Sequence, residues 1–164
     1  ESIIEAGVAS FKGVKRRLEK RFENDSLTVI EDFAHHPTAI RANILTLKER
    51  YAARRLLLLV EPRSNTMVRN IFQNELAKAL ALSDETLIAE IYRPEKYSPE
   101  ERLNLPELIS AIHSSGKKAE ALPADGRLGF VMAHIQPGDV ICFMTNGSFG
   151  GLIEQTVEAL SGKN

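Results

Sequence analysis

Two stretches of the chain, "LLLLV" at 56–60 and "VICFM" at 140–144, are apolar at every successive position. Side chains alternate between the two faces of a strand, so such a run has no face to give to water. It suits a central strand of a parallel sheet whose two faces are both covered by helices. The run at 56–60 is far too short to cross a bilayer.

The remaining pattern agrees with that frame. "LTVIED" (27–32), "RLLLLVEP" (55–62), "ETLIAEIY" (85–92), "KKAEAL" (117–122) and "DVICFMT" (139–145) read as strands. Helix-period segments lie between them. Ile40, Ile44, Leu47 and Tyr51 are spaced four, three and four apart, which is one helix face. Ile71, Leu76, Ala79 and Leu80 predict an inward face over 70–82. A helix over 105–116 has Pro106 near its start and Gly116 as its stop. A short helix follows over 125–135, and a last one places Leu152, Ile153, Val157 and Leu160 inward. The stretch 92–107 carries three of the seven prolines and many charges, and reads as a surface loop. Strands alternating with helices predict one α/β domain over residues 1–164, with a mostly parallel sheet and helices on both faces.

Composition excludes several classes. A chain of 164 residues fits one domain with a core of its own. A net charge of −1 gives no bulk reason for a nucleic-acid or membrane partner. The one cysteine, Cys142, lies inside "DVICFM" and reads as a small buried hydrophobe; with no internal disulfide possible, a reducing cytoplasm is expected. The opening lacks an initiator Met and the long apolar centre of a signal peptide, and reads like the middle of a larger protein.

In a parallel sheet, ligands sit at the carboxyl ends of the strands. Three such ends carry polar loops: "EDFAHHPT", "EPRSNTM" and "TNGSFGG". In the first, Asp32, His35 and His36 offer a carboxylate and two imidazoles, which can hydrogen-bond hydroxyls or a base. The same residues also suit a polar helix cap with Pro37 at the first helical position, or a metal site, although adjacent histidines rarely converge on one ion. In the second, the Arg63 guanidinium can clamp a carboxylate or simply be solvated. Ser64, Asn65 and Thr66 are good caps. In the third, Gly147, Gly150 and Gly151 permit close backbone approach before a helix start, where anions are favoured. The glycines do not read G-x-G-x-x-G, and no G-K-S/T occurs anywhere in the chain, so neither dinucleotide fingerprint nor P-loop is present.

These residues resemble a known family. "EDFAHHPTAI" closely resembles the opening of the C-terminal domain of the Mur ligases, ATP-dependent amide-bond ligases of bacterial cell-wall peptide assembly. "FKGVKRRLE" looks like the family's lead-in to that domain. "VEPRSNTM" and "MTNGSFGG" look most like the members that recycle L-alanyl-γ-D-glutamyl-meso-diaminopimelate by joining it to UDP-N-acetylmuramate. The D-x-x-H-H-P core is shared with the members that add L-alanine to the same sugar nucleotide. The resemblance runs from about Phe11 to Leu160, and the stretch 92–126 matches no motif.

The resemblance implies a Rossmann-like third domain that binds the incoming peptide and closes over ATP. The two preceding domains would bind the UDP-sugar and supply the P-loop and magnesium ligands. ATP and Mg2+ are therefore the implied cofactors, held mainly elsewhere. UDP-N-acetylmuramate, the tripeptide and the chain's own N-terminal and central domains are the implied partners. No catalytic residue and no metal ligand is assigned to this chain, which is expected to be inactive alone. Asp32, His35 and His36 match the family turn that faces the nucleotide and the domain hinge. Arg63 matches an arginine that a diaminopimelate-adding relative uses for its substrate's carboxylate. That relative reads D-N-P-R, whereas this chain reads "VEPR" followed by Ser64 and Asn65. Asn146, Ser148 and Phe149 match the loop that touches the amino-acid substrate, and Ser64 and Asn65 beside Arg63 are expected to line the peptide site with them. Three alternatives stay open: the L-alanine-adding ligase, a non-catalytic nucleotide-binding module, and a metal hydrolase using Asp32, His35 and His36.

Overall fold

The computed structural model describes residue 5 and residues 14–162. Of the lead-in segment, residues 11–13 lie outside the described residues. Six strands form one sheet: β1 (Glu19–Glu23), β2 (Thr28–Asp32), β3 (Leu56–Val60), β4 (Glu85–Ile88), β5 (Lys118–Ala121) and β6 (Val140–Met144). Their order is β1-β2-β6-β3-β4-β5. Every pairing is parallel except the antiparallel β1–β2 edge. Among the described residues, five helices connect or follow the strands: α1 (Pro37–Arg50), α2 (Gln73–Leu80), α3 (Leu105–Ser114), α4 (Arg127–His134) and α5 (Leu152–Leu160).

The apolar runs behave as expected. Leu56, Leu58 and Val60 pack into one buried cluster with Ile40, Ile44 and Leu47 of α1, Leu76 and Leu80 of α2, and Leu108 and Ile112 of α3. Leu57 and Leu59 face the other way, against Val131 of α4 and Leu152 and Ile153 of α5. β6 divides likewise, Cys142 toward α1–α3 and Ile141 and Phe143 toward α4 and α5. Each such fully buried aliphatic side chain contributes about 1.5–3 kcal/mol by leaving water. Burial, reinforced by the nearby Asp32 charge, holds the Cys142 thiol well above its usual range. It stays neutral and inert, a small core hydrophobe.

Some details differ from the sequence reading. β1 was not anticipated: "EKRFE" has no apolar run, and its charges suit an edge strand that pairs on one side only. The helix expected over 70–82 begins as a 3-10 turn at Asn70–Phe72, and α2 proper starts at Gln73. Ile71 is 57% exposed, so it does not join the inward face. The strand expected over 85–92 stops at Ile88. The proline-rich stretch is pinned rather than free: Arg69 and Arg102 form an antiparallel bridge, and Asn70 Nδ2 donates to Glu100 O at 2.6 Å. Among the described residues, no helix is long and apolar enough to cross a membrane.

Candidate functional site

Because β6 lies between β2 and β3, the three polar loops emerge side by side from adjacent strand ends. Backbone bonds continue past the strands and hold the loops in register: Thr145 N–H donates to Asp32 O at 3.0 Å, and Glu61 N–H to Met144 O at 3.2 Å. The loops after β2 and β3 lead to helices on one face of the sheet and the loop after β6 leads to α5 on the other, which is where open α/β sheets present their binding crevice.

In the first loop, Asp32 organises backbone. Its Oδ1 accepts from Ala34 N–H and Asn43 Nδ2, both at 2.6 Å, and its Oδ2 accepts from Leu18 N–H at 2.7 Å. It is only 2% exposed, so the strand-end turn is not a surface feature at this position. Buried charges persist when they are hydrogen-bonded in this way. His35 Nδ1 donates to Phe33 O at 2.8 Å. His36 is extended (φ −137°, ψ 140°) and caps α1, its Nδ1 accepting from Thr38 N–H at 3.3 Å, with Pro37 at the first helical position. The histidines therefore keep their Nε2 edges for other work. Together with Arg17, Phe33 and Asn43 they line a cavity of about 380 Å³.

The second loop is tied to the first by Ser64, whose hydroxyl donates to His35 O at 3.1 Å and accepts from Met67 N–H at 3.2 Å. Asn65 Oδ1 accepts from Tyr97 O–H at 2.9 Å, so the proline-rich stretch buttresses this loop. The guanidinium carbon of Arg63 lies 3.8 Å from the centre of the Tyr92 ring, and Nη1 lies 3.6 Å from Glu61 Oε1. Stacking orders a guanidinium while leaving its N–H edge available. The sequence reading led Arg63 directly into a helix. The structure instead interposes a turn and the Arg69–Arg102 bridge before α2.

The third loop is built on Glu61. Its Oε2 accepts from the Thr145 hydroxyl and from Phe149 N–H, the latter at 3.3 Å. Thr145 Oγ1 in turn accepts from Gly147 N–H at 2.8 Å. Gly147 is required here: a Cβ would fall 2.5 Å from Arg63 Cδ and 2.9 Å from Glu61 Oε2. Asn146 Oδ1 is buried without a hydrogen-bond partner among the described residues, and Ser148 is exposed. The Phe149 side chain is 1% exposed and meets Phe143 edge to face at 5.5 Å, so it packs in the core.

Three residues of this region were missed from sequence. Glu61 is the hub of the third loop, and its only signal was an acid at the end of an apolar strand. Tyr92 carries Arg63 and gave no signal. Arg16 pairs with Glu31 at 2.8 Å, and its Nη2 donates to Thr145 O at 2.7 Å and Gly147 O at 2.6 Å, binding the lead-in segment to the third loop.

Similarity to known proteins agrees with this geometry. The chain is 35% identical, over 95% of its length, to the UDP-N-acetylmuramate–L-alanyl-γ-D-glutamyl-meso-2,6-diaminoheptandioate ligase of Escherichia coli K12. It is 31% identical, over 88% of its length, to the UDP-N-acetylmuramate–L-alanine ligase of Desulfotalea psychrophila. It spans 32% of the length of each of these curated relatives. Among solved structures, murein peptide ligase from Psychrobacter arcticus superposes with a TM-score of 0.73 at 35% identity, over 94% of this chain and 32% of that one. The family described as "Mur ligase, glutamate ligase domain" matches residues 16–147, and the chain belongs to the Mur ligase family.

Proposed function

We propose that this chain is the peptide-binding C-terminal domain of an ATP-dependent ligase that joins L-alanyl-γ-D-glutamyl-meso-diaminopimelate to UDP-N-acetylmuramate, in the cytoplasm. The observation that carries the reading is the setting of Arg63. Its guanidinium is seated on Tyr92 and packed against Gly147, at the point where three strand-end loops meet. Its one ion-pair partner among the described residues, Glu61, stands at 3.6 Å, longer than a hydrogen bond, and Arg93 lies over the same Tyr92 ring at 5.0 Å. A preorganised fork of this kind suits a carboxylate such as those of γ-D-glutamate and diaminopimelate. The exposed Ser148 and Asn65 and the unpartnered Asn146 Oδ1 supply polar groups around it.

The donor set does not fit a resident magnesium ion. Asp32 is the one carboxylate lining the histidine cavity, and both its oxygens are engaged. The cavity does fit a nucleotide edge, through Arg17 and the Nε2 atoms of His35 and His36. ATP and Mg2+ would therefore be held mainly by a central domain, and this chain would orient the peptide and exclude water when the domains close.

A second reading, the L-alanine-adding ligase, draws on the 31% relative. A small apolar amino acid has a single carboxylate and needs less of this polar edge. The test is ligation by the longer protein and by the 164-residue chain alone, each with ATP, Mg2+, UDP-N-acetylmuramate and tripeptide. Product is expected only from the longer protein; turnover by the chain alone would overturn the assignment.

A further inference from the structure

At the opposite end of the strands, Glu85 opens β4, Glu120 lies on β5, and His134 ends α4. One ligand atom from each lies within 4.8 Å of the other two, the one such triad of histidine and acidic side chains among the described residues. The histidine's protonation geometry is informative. His134 Nδ1 lies 2.8 Å from Phe130 O, and a carbonyl can only accept, so Nδ1 carries the proton. In the neutral ring Nε2 is then a bare lone pair. It points at two carboxylates, 3.4 Å from Glu120 Oε1 and 3.7 Å from Glu85 Oε1. Three acceptors facing one another repel unless a cation stands between them.

We propose that Glu85, Glu120 and His134 form a binding site for zinc or a similar divalent transition metal. The spacing fits. Bonds of 2.0–2.1 Å at tetrahedral angles place neighbouring ligand atoms about 3.3 Å apart. An imidazole with carboxylates is a donor set that zinc accepts. The surrounding shell has the organisation of a metal site: the Phe130 carbonyl fixes the imidazole tautomer, and Arg55 Nη1 holds the other Glu85 oxygen at 2.8 Å, leaving Oε1 directed at the histidine. Charge balance points the same way. Arg55 also binds Asp139, with Nε–Oδ1 at 2.9 Å and Nη2–Oδ2 at 2.7 Å. Glu85, Glu120 and Asp139 carry three negative charges against Arg55 and the exposed Lys118, the register partner of Glu85, so the cluster keeps a net negative charge that favours a cation. Glu85 and His134 side chains are 6% and 17% exposed, while Glu120 at 56% leaves a path for entry and a coordination position for water.

The site is independent of the ligase reading and is tested on the 164-residue chain. After treatment with a chelator, zinc chloride is titrated calorimetrically at pH 7 and the thermal midpoint is followed. One equivalent of zinc should bind and raise the midpoint. Glu120→Gln, whose exposed side chain leaves the fold unaffected, should weaken binding roughly tenfold or more, and His134→Gln likewise. Absence of stoichiometric binding would overturn the proposal. So would binding of unchanged strength in both variants, which would place the ion elsewhere, for example at His35 and His36. Stabilisation by acid but not by zinc would also overturn it, and would assign the cation to a proton on Nε2 shared with Glu85 and Glu120.

Discussion

Replacing Asp32 by Asn changes one atom in a buried cluster, and the cost can be worked out bond by bond. The carboxylate receives three N–H groups, from Leu18 at 2.7 Å and from Ala34 and Asn43 at 2.6 Å. An amide has one acceptor oxygen and one N–H2 group, so in either orientation a donor confronts a donor. The better orientation keeps the oxygen toward Ala34 and Asn43 and turns the N–H2 toward Leu18. One charge-assisted bond is then lost, about 1.5–3 kcal/mol, and two fall to neutral strength, about 1 kcal/mol each. The total is about 3.5–5 kcal/mol, or roughly 10–15 °C in thermal midpoint for a domain of this size. Urea unfolding of the chain, followed by circular dichroism at pH 7, measures it. A loss below about 1 kcal/mol would refute the assignment of Asp32 as the organiser of the strand-end turn and return it to a ligand-facing surface role.

Arg63→Ala in the ligase-competent protein should reduce tripeptide use roughly tenfold to a hundredfold, with Arg63→Lys rescuing only in part, because a lysine restores charge but not the planar fork. Unchanged tripeptide kinetics would make Arg63 a merely packed arginine. Gly147→Ala should mimic that loss while the chain stays folded, since its Cβ would displace Arg63 rather than the core; comparison of tripeptide KM with the urea midpoint checks both halves. Burial opposes ionisation of Asp84, but the Leu56 N–H and the Lys48 and Lys117 ammonium groups outweigh it and hold its pKa below the usual carboxylate range. A depressed folded-state pKa gives stability that is complete above the unfolded value and lost as pH falls through the folded one. The stability gap between the wild-type chain and Asp84→Asn should therefore be widest at neutral pH and close on acidification below about pH 4, as read by urea titrations across that range.

The doubly covered sheet was legible because "LLLLV" and "VICFM" leave no polar face, and the structure sends Leu57 and Leu58 to opposite clusters as that pattern requires. The meeting of the three loops followed once strand order placed β6 between β2 and β3. What escaped was whatever depends on long-range pairing. β1 has no apolar signature because only its pairing with β2 makes it a strand. Tyr92 reaches Arg63 only through the return of β4 beside β3. Arg16 touches Thr145 and Gly147 across 129 and 131 residues. The burial of Phe149 was not legible either: a positive φ of 53° accompanies a side chain turned into the core, and a "GSFGG" pattern does not announce that. The burial of Asp32 was not legible, since its donors, Leu18, Ala34 and Asn43, lie before, just after and well after it in the chain.

The central claim, that these strand-end loops select a peptide rich in carboxylates, is tested most directly by substrate competition in the full-length ligase of which we propose this chain is a part. With ATP, Mg2+ and UDP-N-acetylmuramate supplied, kcat/KM is measured for L-alanyl-γ-D-glutamyl-meso-diaminopimelate and for L-alanine, in the wild type and in Arg63→Ala. The account predicts that the tripeptide is strongly preferred and that Arg63→Ala erodes most of this preference by depressing tripeptide use alone. A preference for L-alanine, or a tripeptide preference indifferent to Arg63, would contradict it.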